Sequence, residues 1–302
     1  MRRRIGLSRW QASGVAILAM VALAVSGCAI KRRTVVTPSE RRPALTATPA
    51  ELVESFNRVA RAIESVNAAV ELLPTAGSAY SGVIEEYREV RGFILAQRPS
   101  SVRVIGQAPV VSTNVFDMVS DGETFRIHIP PKNKFLVGPA KLERSSEKPI
   151  ENLRPQHLLD AIFWTELRER DVLWEEFDTG TFRYYILTEV RNTAGLQLSR
   201  KIWFDRGDLS VARVQVFNGG SRAVSDVSYA DWKRVDVTQG ALVGLSFPRQ
   251  INILRPHEDY RLDVRILRLS LNQAISADRF QLAQPAGTEL VRLGEKTPEA
   301  QP

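Results

Sequence analysis

The sequence predicts a mainly β fold of the α+β class: a curled antiparallel sheet forming an incomplete β-barrel, with two amphipathic helices on its concave side. Three observations carry that expectation. About a dozen stretches alternate apolar and polar residues with a period of two, the pattern of strands buried on one face. Only two stretches repeat apolar residues at the three-and-four spacing of a helix face, and no internal repeat of fixed period appears. Turn signals separate most strands with no helix between them, which favours antiparallel meander order. A sheet of that many strands must curl, and the two helices are the material available to fill its hollow side.

The chain opens on a segment that the fold does not need. Arg2, Arg3, Arg4 and Arg9 precede an unbroken apolar run over residues 15–25. A bilayer span needs about 20 residues, so this run has the length of a signal-peptide core and not of a membrane helix. Val25, Ser26 and Gly27 then lead directly into Cys28, the only cysteine of the 302 residues. This looks like a bacterial lipobox, in which cleavage before the cysteine frees it to carry acyl chains. Residues 1–27 are therefore expected to be a lipoprotein signal peptide, and Cys28 a lipid anchor whose buried methylenes supply membrane affinity.

The same boundary changes the charge balance. The whole chain has 41 Lys and Arg against 34 Asp and Glu, but four of the arginines belong to residues 1–27. The remainder carries 37 against 34, a net of +3, so the basic appearance gives no reason to expect nucleic acid. With Cys28 lipidated, no thiol is left for a disulfide or a metal. Residues 28–48 read as the lipidated N-terminus and a flexible linker rich in Pro, Thr and Arg. Lys31, Arg32, Arg33, Arg41 and Arg42 are read as a solvated spacer, although each could gain about 1 kcal/mol beside anionic head groups.

Thr48 begins the first helix, with Pro49 at the first helical position and Glu51 completing a capping box. Leu52, Phe56, Val59, Ile63 and Val66 make one apolar face, opposite Glu54, Arg58, Arg61 and Glu64. Strands are then expected at 66–73, through Val90 and Phe93 to Arg98, at 102–105 and at 115–119. Asp121-Gly122 is a strong hairpin signal. After it Phe125, Ile127 and Ile129 alternate with Thr124, Arg126 and His128, and residues 135–137 follow as a short strand. Residues 141–152 read as a charged loop and 155–167 as the second helix, with Leu158, Leu159, Ile162 and Phe163 on one side. Further strands are expected at 182–190, 196–204, 211–217, 223–232, 247–254 and 260–271. In the last of these Leu262, Val264 and Ile266 fall on one face and Leu267, Leu269 and Leu271 on the other, which predicts a bulge. The domain is expected to span 49–293, with 294–302 a disordered tail.

The residues also resemble a known family. Gly92, Arg98-Pro99 and Arg103 are followed by the stretch from Phe116 to Phe125 and by Pro130-Pro131-Lys132-Asn133-Lys134. Towards the end come Phe247-Pro248, Ile251 and Ile253, Leu271-Asn272, Phe280-Gln281-Leu282 and Pro285-Ala286-Gly287. Together they look like the LolA/LolB-like periplasmic lipoprotein-carrier superfamily over residues 49–293, by motifs that speak to fold more than to cargo. The resemblance implies an incomplete barrel around helices with an apolar cavity for acyl chains. It places a lipidated chain with the LolB-like members, tethered to the periplasmic face of the outer membrane. Ala29 after the cysteine fits outer-membrane sorting by the enteric rule. LolB-like members project a leucine from a loop between early strands; the corresponding loop, 106–113, offers Val110 and Val111 as the membrane-facing pair instead.

Chemistry was sought and not found. The sequence has no Gly-x-Ser-x-Gly, P-loop, Gly-x-Gly-x-x-Gly or His-Glu-x-x-His. His128, His157 and His257 are dispersed and read as no metal site, Ser145 and Lys148 match Ser-x-x-Lys without any companion motif, and Glu175, Glu176 and Asp178 read as a solvated turn. No catalytic residue and no cofactor is expected beyond the covalent lipid and a bound acyl chain. Phe56, Ile63, Phe125, Ile127, Ile129, Ile162 and Phe163 are the expected cavity-lining residues. Trp164, Trp174, Trp203 and Trp232 fit a cavity wall or a packed core. The expected function is binding of acyl chains for lipid or lipoprotein localisation, with lipid or lipoprotein cargo and a periplasmic carrier as partners. The alternative is an envelope scaffold of the same fold with a filled core.

Overall fold

The computed structural model describes residues 43–78, 83–86, 88–108, 113–140, 152–192, 195–236 and 240–293. Helix α1 (Pro49–Ala62) begins as the capping box predicts: Glu51 N–H donates to Thr48 Oγ1 while Thr48 N–H donates to the Glu51 carboxylate at 2.7 Å. Seven strands follow: β1 (Ser65–Ser78), β2 (Val83–Glu86), β3 (Val90–Gln97), β4 (Ser101–Gln107), β5 (Asn114–Ser120), β6 (Thr124–Ile129) and β7 (Lys134–Pro139). Helix α2 (Pro155–Ile162) separates them from a second series. That series is β8 (Val172–Asp178), β9 (Arg183–Asn192), β10 (Leu196–Asp205), β11 (Val211–Phe217), β12 (Ala223–Arg234), β13 (Ser246–Arg255), β14 (Tyr260–Leu271) and the short β15 (Glu289–Arg292).

Among the described residues, fifteen strands belong to one open, curled sheet, in the order β15-β7-β6-β5-β4-β3-β1-β14-β13-β12-β11-β10-β9-β8, with β2 on β1. Two meanders, β3–β7 and β8–β14, are thus joined through β1, which pairs with β3 on one side and β14 on the other. Every pairing is antiparallel except β15 on β7. The two ends of the order, β15 and β8, leave the barrel incomplete.

The phase slip in β14 has the cause expected of it. The register against β1 shifts between Ala69 and Val70, so Leu267 has no opposite number and turns outward, half exposed. Ile266 and Leu269 then both face partners whose side chains are buried, Val70 and Ala68. The bulge puts 262, 264, 266, 269 and 271 on the same face; only Leu267 is lost to solvent.

Leu52, Phe56 and Ala60 of α1 and Leu158, Leu159 and Ile162 of α2 are buried in one core with alternate residues of the strands, among them Val66, Val70, Ile94, Ile202, Ile251 and Val264. α2 lies against β4, β5 and β13. It is shorter than its apolar pattern suggests, ending at Ile162, and distant side chains hold the segment beyond it. Asn57 Nδ2 donates to Leu167 O at 2.8 Å, and Asn57 Oδ1 accepts from Leu167 N–H at 2.7 Å. Arg200, in a buried ion pair with Glu189 at 2.8 Å, donates to Thr165 O and Glu166 O. Trp164 stacks on Phe56 with centroids 4.6 Å apart and donates from Nε1 to Tyr229 Oη, which donates in turn to Ala161 O.

Several motif residues prove to hold the frame. Arg98 donates from Nε to Ile63 O and from Nη2 to Ala60 O and Trp164 O, satisfying carbonyls at the end of α1. Asn272 accepts from Glu64 N–H and donates to Ala62 O across the same turn. Arg103 grips Asp117 with two hydrogen bonds, at 3.0 and 2.7 Å. Asn133, in the left-handed region at φ 50°, binds the C-terminal segment by donating to Gly287 O.

One expectation is corrected. Glu175, Glu176 and Asp178 are not in a turn: they lie on β8, the last strand of the sheet, where Glu176 pairs with Arg206. An edge strand open to water tolerates charges at successive positions, and such charges discourage pairing with another sheet. The expected loop at 141–152 lies, except for Asn152, outside the described residues.

Candidate functional site

The helices do not cover the whole face. Where β3, β4, β5 and β6 run out beyond the N-terminal end of α2, an apolar groove of about 610 Å³ remains. Its volume falls within the range of roughly 300–1,000 Å³ typical of ligand sites. Strand alternation supplies its walls. Val104, Met118 and Ile127 are consecutive cross-strand neighbours on β4, β5 and β6. Leu72 pairs with Val90 on one side and Pro74 with Leu262 on the other. Ile129, Phe116 and Val115 extend the wall, and Leu153 and Leu158 bring the start of α2 against it.

Two glycines shape the floor beside it. Gly92 and Gly106 are opposite each other, and Gly106 is opposite Phe116. A Cβ on Gly106 would fall 2.3 Å from the Phe116 ring, so the missing side chain is what lets that ring lie across the strand. A Cβ on Gly92 would fall 2.0 Å from Ile105 O, a backbone atom that no rotamer change can move.

Charge is confined to four lining residues: Arg88, Glu89 and Lys132, all exposed, and Arg154, which is buried. The Arg154 guanidinium lies over the Phe125 ring at 4.5 Å and donates to Leu153 O. Next to Arg154 on α2, His157 Nδ1 is hydrogen-bonded to Tyr260 Oη. Burial, reinforced by the positive charges of Arg255 and Arg154, pushes the His157 pKa down to about 2. The imidazole is neutral at any physiological pH. Burial likewise raises the Tyr260 pKa. This pair is a neutral polar contact between α2 and β14, with no proton to exchange near pH 7. Among the described residues, no three His, Asp or Glu side chains come together as a metal ligand set.

Ile127 and Ile129 lie in the groove wall. Phe125 is fully buried beneath Arg154, and Phe56, Ile63, Ile162 and Phe163 are packed in the core away from the groove, Phe56 against Trp164 and Phe163 under the Arg98 guanidinium. None of the four tryptophans lines the groove: Trp164 is core, Trp174 is half exposed on β8, Trp203 lies under Arg213 and Trp232 donates to Val211 O. Val110 and Val111, like Cys28 and the Val25-Ser26-Gly27 lipobox, lie outside the described residues. Sequence reasoning missed Leu72, Pro74, Val90, Val104, Phe116, Met118 and Leu262. Period-two alternation names the face that each occupies, but which part of that face stays uncovered depends on where α2 begins.

The fold and site define a class: an open half-barrel of one antiparallel sheet with an apolar groove left beside its helices. No protein-family model matches the chain, and no curated protein matches it. Similar solved structures include a DUF1329 family protein from Desulfovibrio piger, with 12% identity, a TM-score of 0.47, and coverage of 78% of this chain and 98% of that one. They also include the LolA superfamily protein NE2245 from Nitrosomonas europaea, with 10% identity, a TM-score of 0.44, and 78% and 99% coverage. A proposed outer membrane lipoprotein-sorting protein domain from Vibrio parahaemolyticus has 9% identity, a TM-score of 0.43, and 77% and 97% coverage.

Proposed function

We propose that this chain is an envelope lipoprotein that binds acyl chains of lipids or lipoproteins in its groove, without chemistry, and serves their localisation. The observation that carries the reading is the groove itself: apolar side chains from six strands and the start of α2 stand around about 610 Å³ of open space. An apolar wall left unfilled gives up packing that a core would have, and an acyl chain supplies it at about 0.8 kcal/mol per methylene. The helices lie within the curl of the sheet on this reading, so that α2 bounds the groove from above. A scaffold with a filled core has no use for that space. Cys28 anchors the protein to the periplasmic face of the outer membrane, residues 29–48 are its leash, and a periplasmic carrier delivers the cargo.

Two measurements test this. The chain from residue 28 onward, carrying Cys28→Ser, is expected to retain one acyl-chain lipid in native mass spectrometry and to rebind palmitate after delipidation. Apo protein that takes up no palmitate would sink the reading. The full-length chain is expected in the outer-membrane fraction, and the Cys28→Ser variant in the soluble periplasmic fraction; unchanged fractionation would remove the anchor from the proposal.

A further inference from the structure

The groove is apolar along its length but not at its rim, and the rim is unbalanced. Of its four charged lining residues, Arg88, Lys132 and Arg154 are cations and Glu89 is the sole acid. Arg88 precedes β3 and Lys132 follows β6, so chain segments far apart in sequence bring positive charge to one apolar opening. Several arginines of the frame are matched by carboxylates: Arg103 by Asp117, Arg200 by Glu189, Arg206 by Glu176 and Arg213 by Asp226. Even at the neighbouring β13–β14 turn, Arg255 is paired with Glu258 at 2.8 Å. Neither Arg88 nor Lys132 has such an ion-pair partner among the described residues. The buried Arg154 is held over Phe125 with partners of its own, so the head-group role falls to Arg88 and Lys132.

From this juxtaposition we infer that the groove selects amphiphiles whose head group is anionic, a carboxylate or a phosphate, and that Arg88 and Lys132 receive that head. The inference rests on the acyl-chain reading above and adds a head-group requirement to it. Arginine and lysine pair with carboxylate and phosphate through charge-assisted hydrogen bonds, which are stronger than neutral ones. Such bonds gain further where an apolar wall excludes water from one side. A neutral amphiphile of the same chain length would leave two cations beside its head with nothing to bind.

The test uses the chain from residue 28 onward carrying Cys28→Ser, and a double variant that adds Arg88→Gln and Lys132→Gln. Both substituted side chains are exposed, so the fold is not at stake, and a thermal melt checks that. Displacement of a bound fluorescent acyl probe is measured with palmitate, 1-palmitoyl-lysophosphatidylglycerol and the neutral 1-monopalmitoylglycerol. The parent protein is expected to bind one or both anionic ligands at least tenfold more tightly than the neutral one. The double variant is expected to lose that preference while binding monopalmitoylglycerol as before. Whichever anionic ligand is favoured identifies the head group as carboxylate or phosphate. Equal binding of all three ligands, unchanged in the double variant, overturns the head-group requirement and leaves the acyl-chain reading standing. Binding of none of them overturns both.

Discussion

Replacing Ile127 with tryptophan fills the groove from its wall. Ile127 is partly buried, stands between Met118 and Leu136 in the register, and faces the open volume, so a larger side chain has somewhere to go. An indole there excludes about five methylenes of a bound chain. At about 0.8 kcal/mol each, that is about 4 kcal/mol, or roughly a thousandfold in affinity. The assay is titration calorimetry with palmitate on the Cys28→Ser chain, alongside laurate, whose four missing methylenes let it occupy a shortened groove. Palmitate is expected to weaken by two to three orders of magnitude in Ile127→Trp, and laurate by less. The fold is expected to hold, because the new ring enters space and not packed atoms. Palmitate binding unchanged in a folded variant would show that the chain lies elsewhere and would refute the groove as the site.

Two further outcomes concern the frame. Gly92→Ala sets a methyl against Ile105 O, where the ideal Cβ position is 2.0 Å from a backbone atom, and is expected to cost about 1–3 kcal/mol in a urea unfolding titration; a neutral substitution would mean that the two strands separate more easily than their pairing implies. His157 is held neutral in the fold, with its pKa down at about 2, whereas unfolded histidine protonates near 6.5. Stability is therefore complete above about pH 6.5 and falls as pH drops below it, by at most about 1.4 kcal/mol per pH unit for this one proton. His157→Gln is expected to flatten that slope between pH 6.5 and 5 in parallel denaturant titrations, and a slope unchanged by the substitution would assign the dependence to other groups.

Much of the fold was legible because local patterns decide it. Thr48, Pro49 and Glu51 announce the start of α1 through bonds made within four residues, and both halves of that box are present in the fold. Strand 260–271 was found with its ends in place, and its phase slip gave away the bulge at Leu267, because burial on one face forces the alternation to resume after any insertion. Asp121-Gly122 marked the β5–β6 hairpin by the same local logic.

What the sequence alone could not decide is long-range. That β1 sits between β3 and β14, stitching two meanders into one sheet, follows from pairings about 200 residues apart and leaves no trace in periodicity. The stretch after α2 is likewise held from far away: Arg200 and Asn57 bind the carbonyls of residues 165–167, and a stretch that reads as helix runs on as an irregular segment. The strand ends beyond the N-terminal end of α2 stay bare, and the groove exists there and not around Phe56 or Phe163. The sequence by itself determined that apolar side chains line one face of a curled sheet, since alternation is local. Only the tertiary structure decided which of them meet one another and which are left facing open space, since that is settled by where the helices lie against the strands.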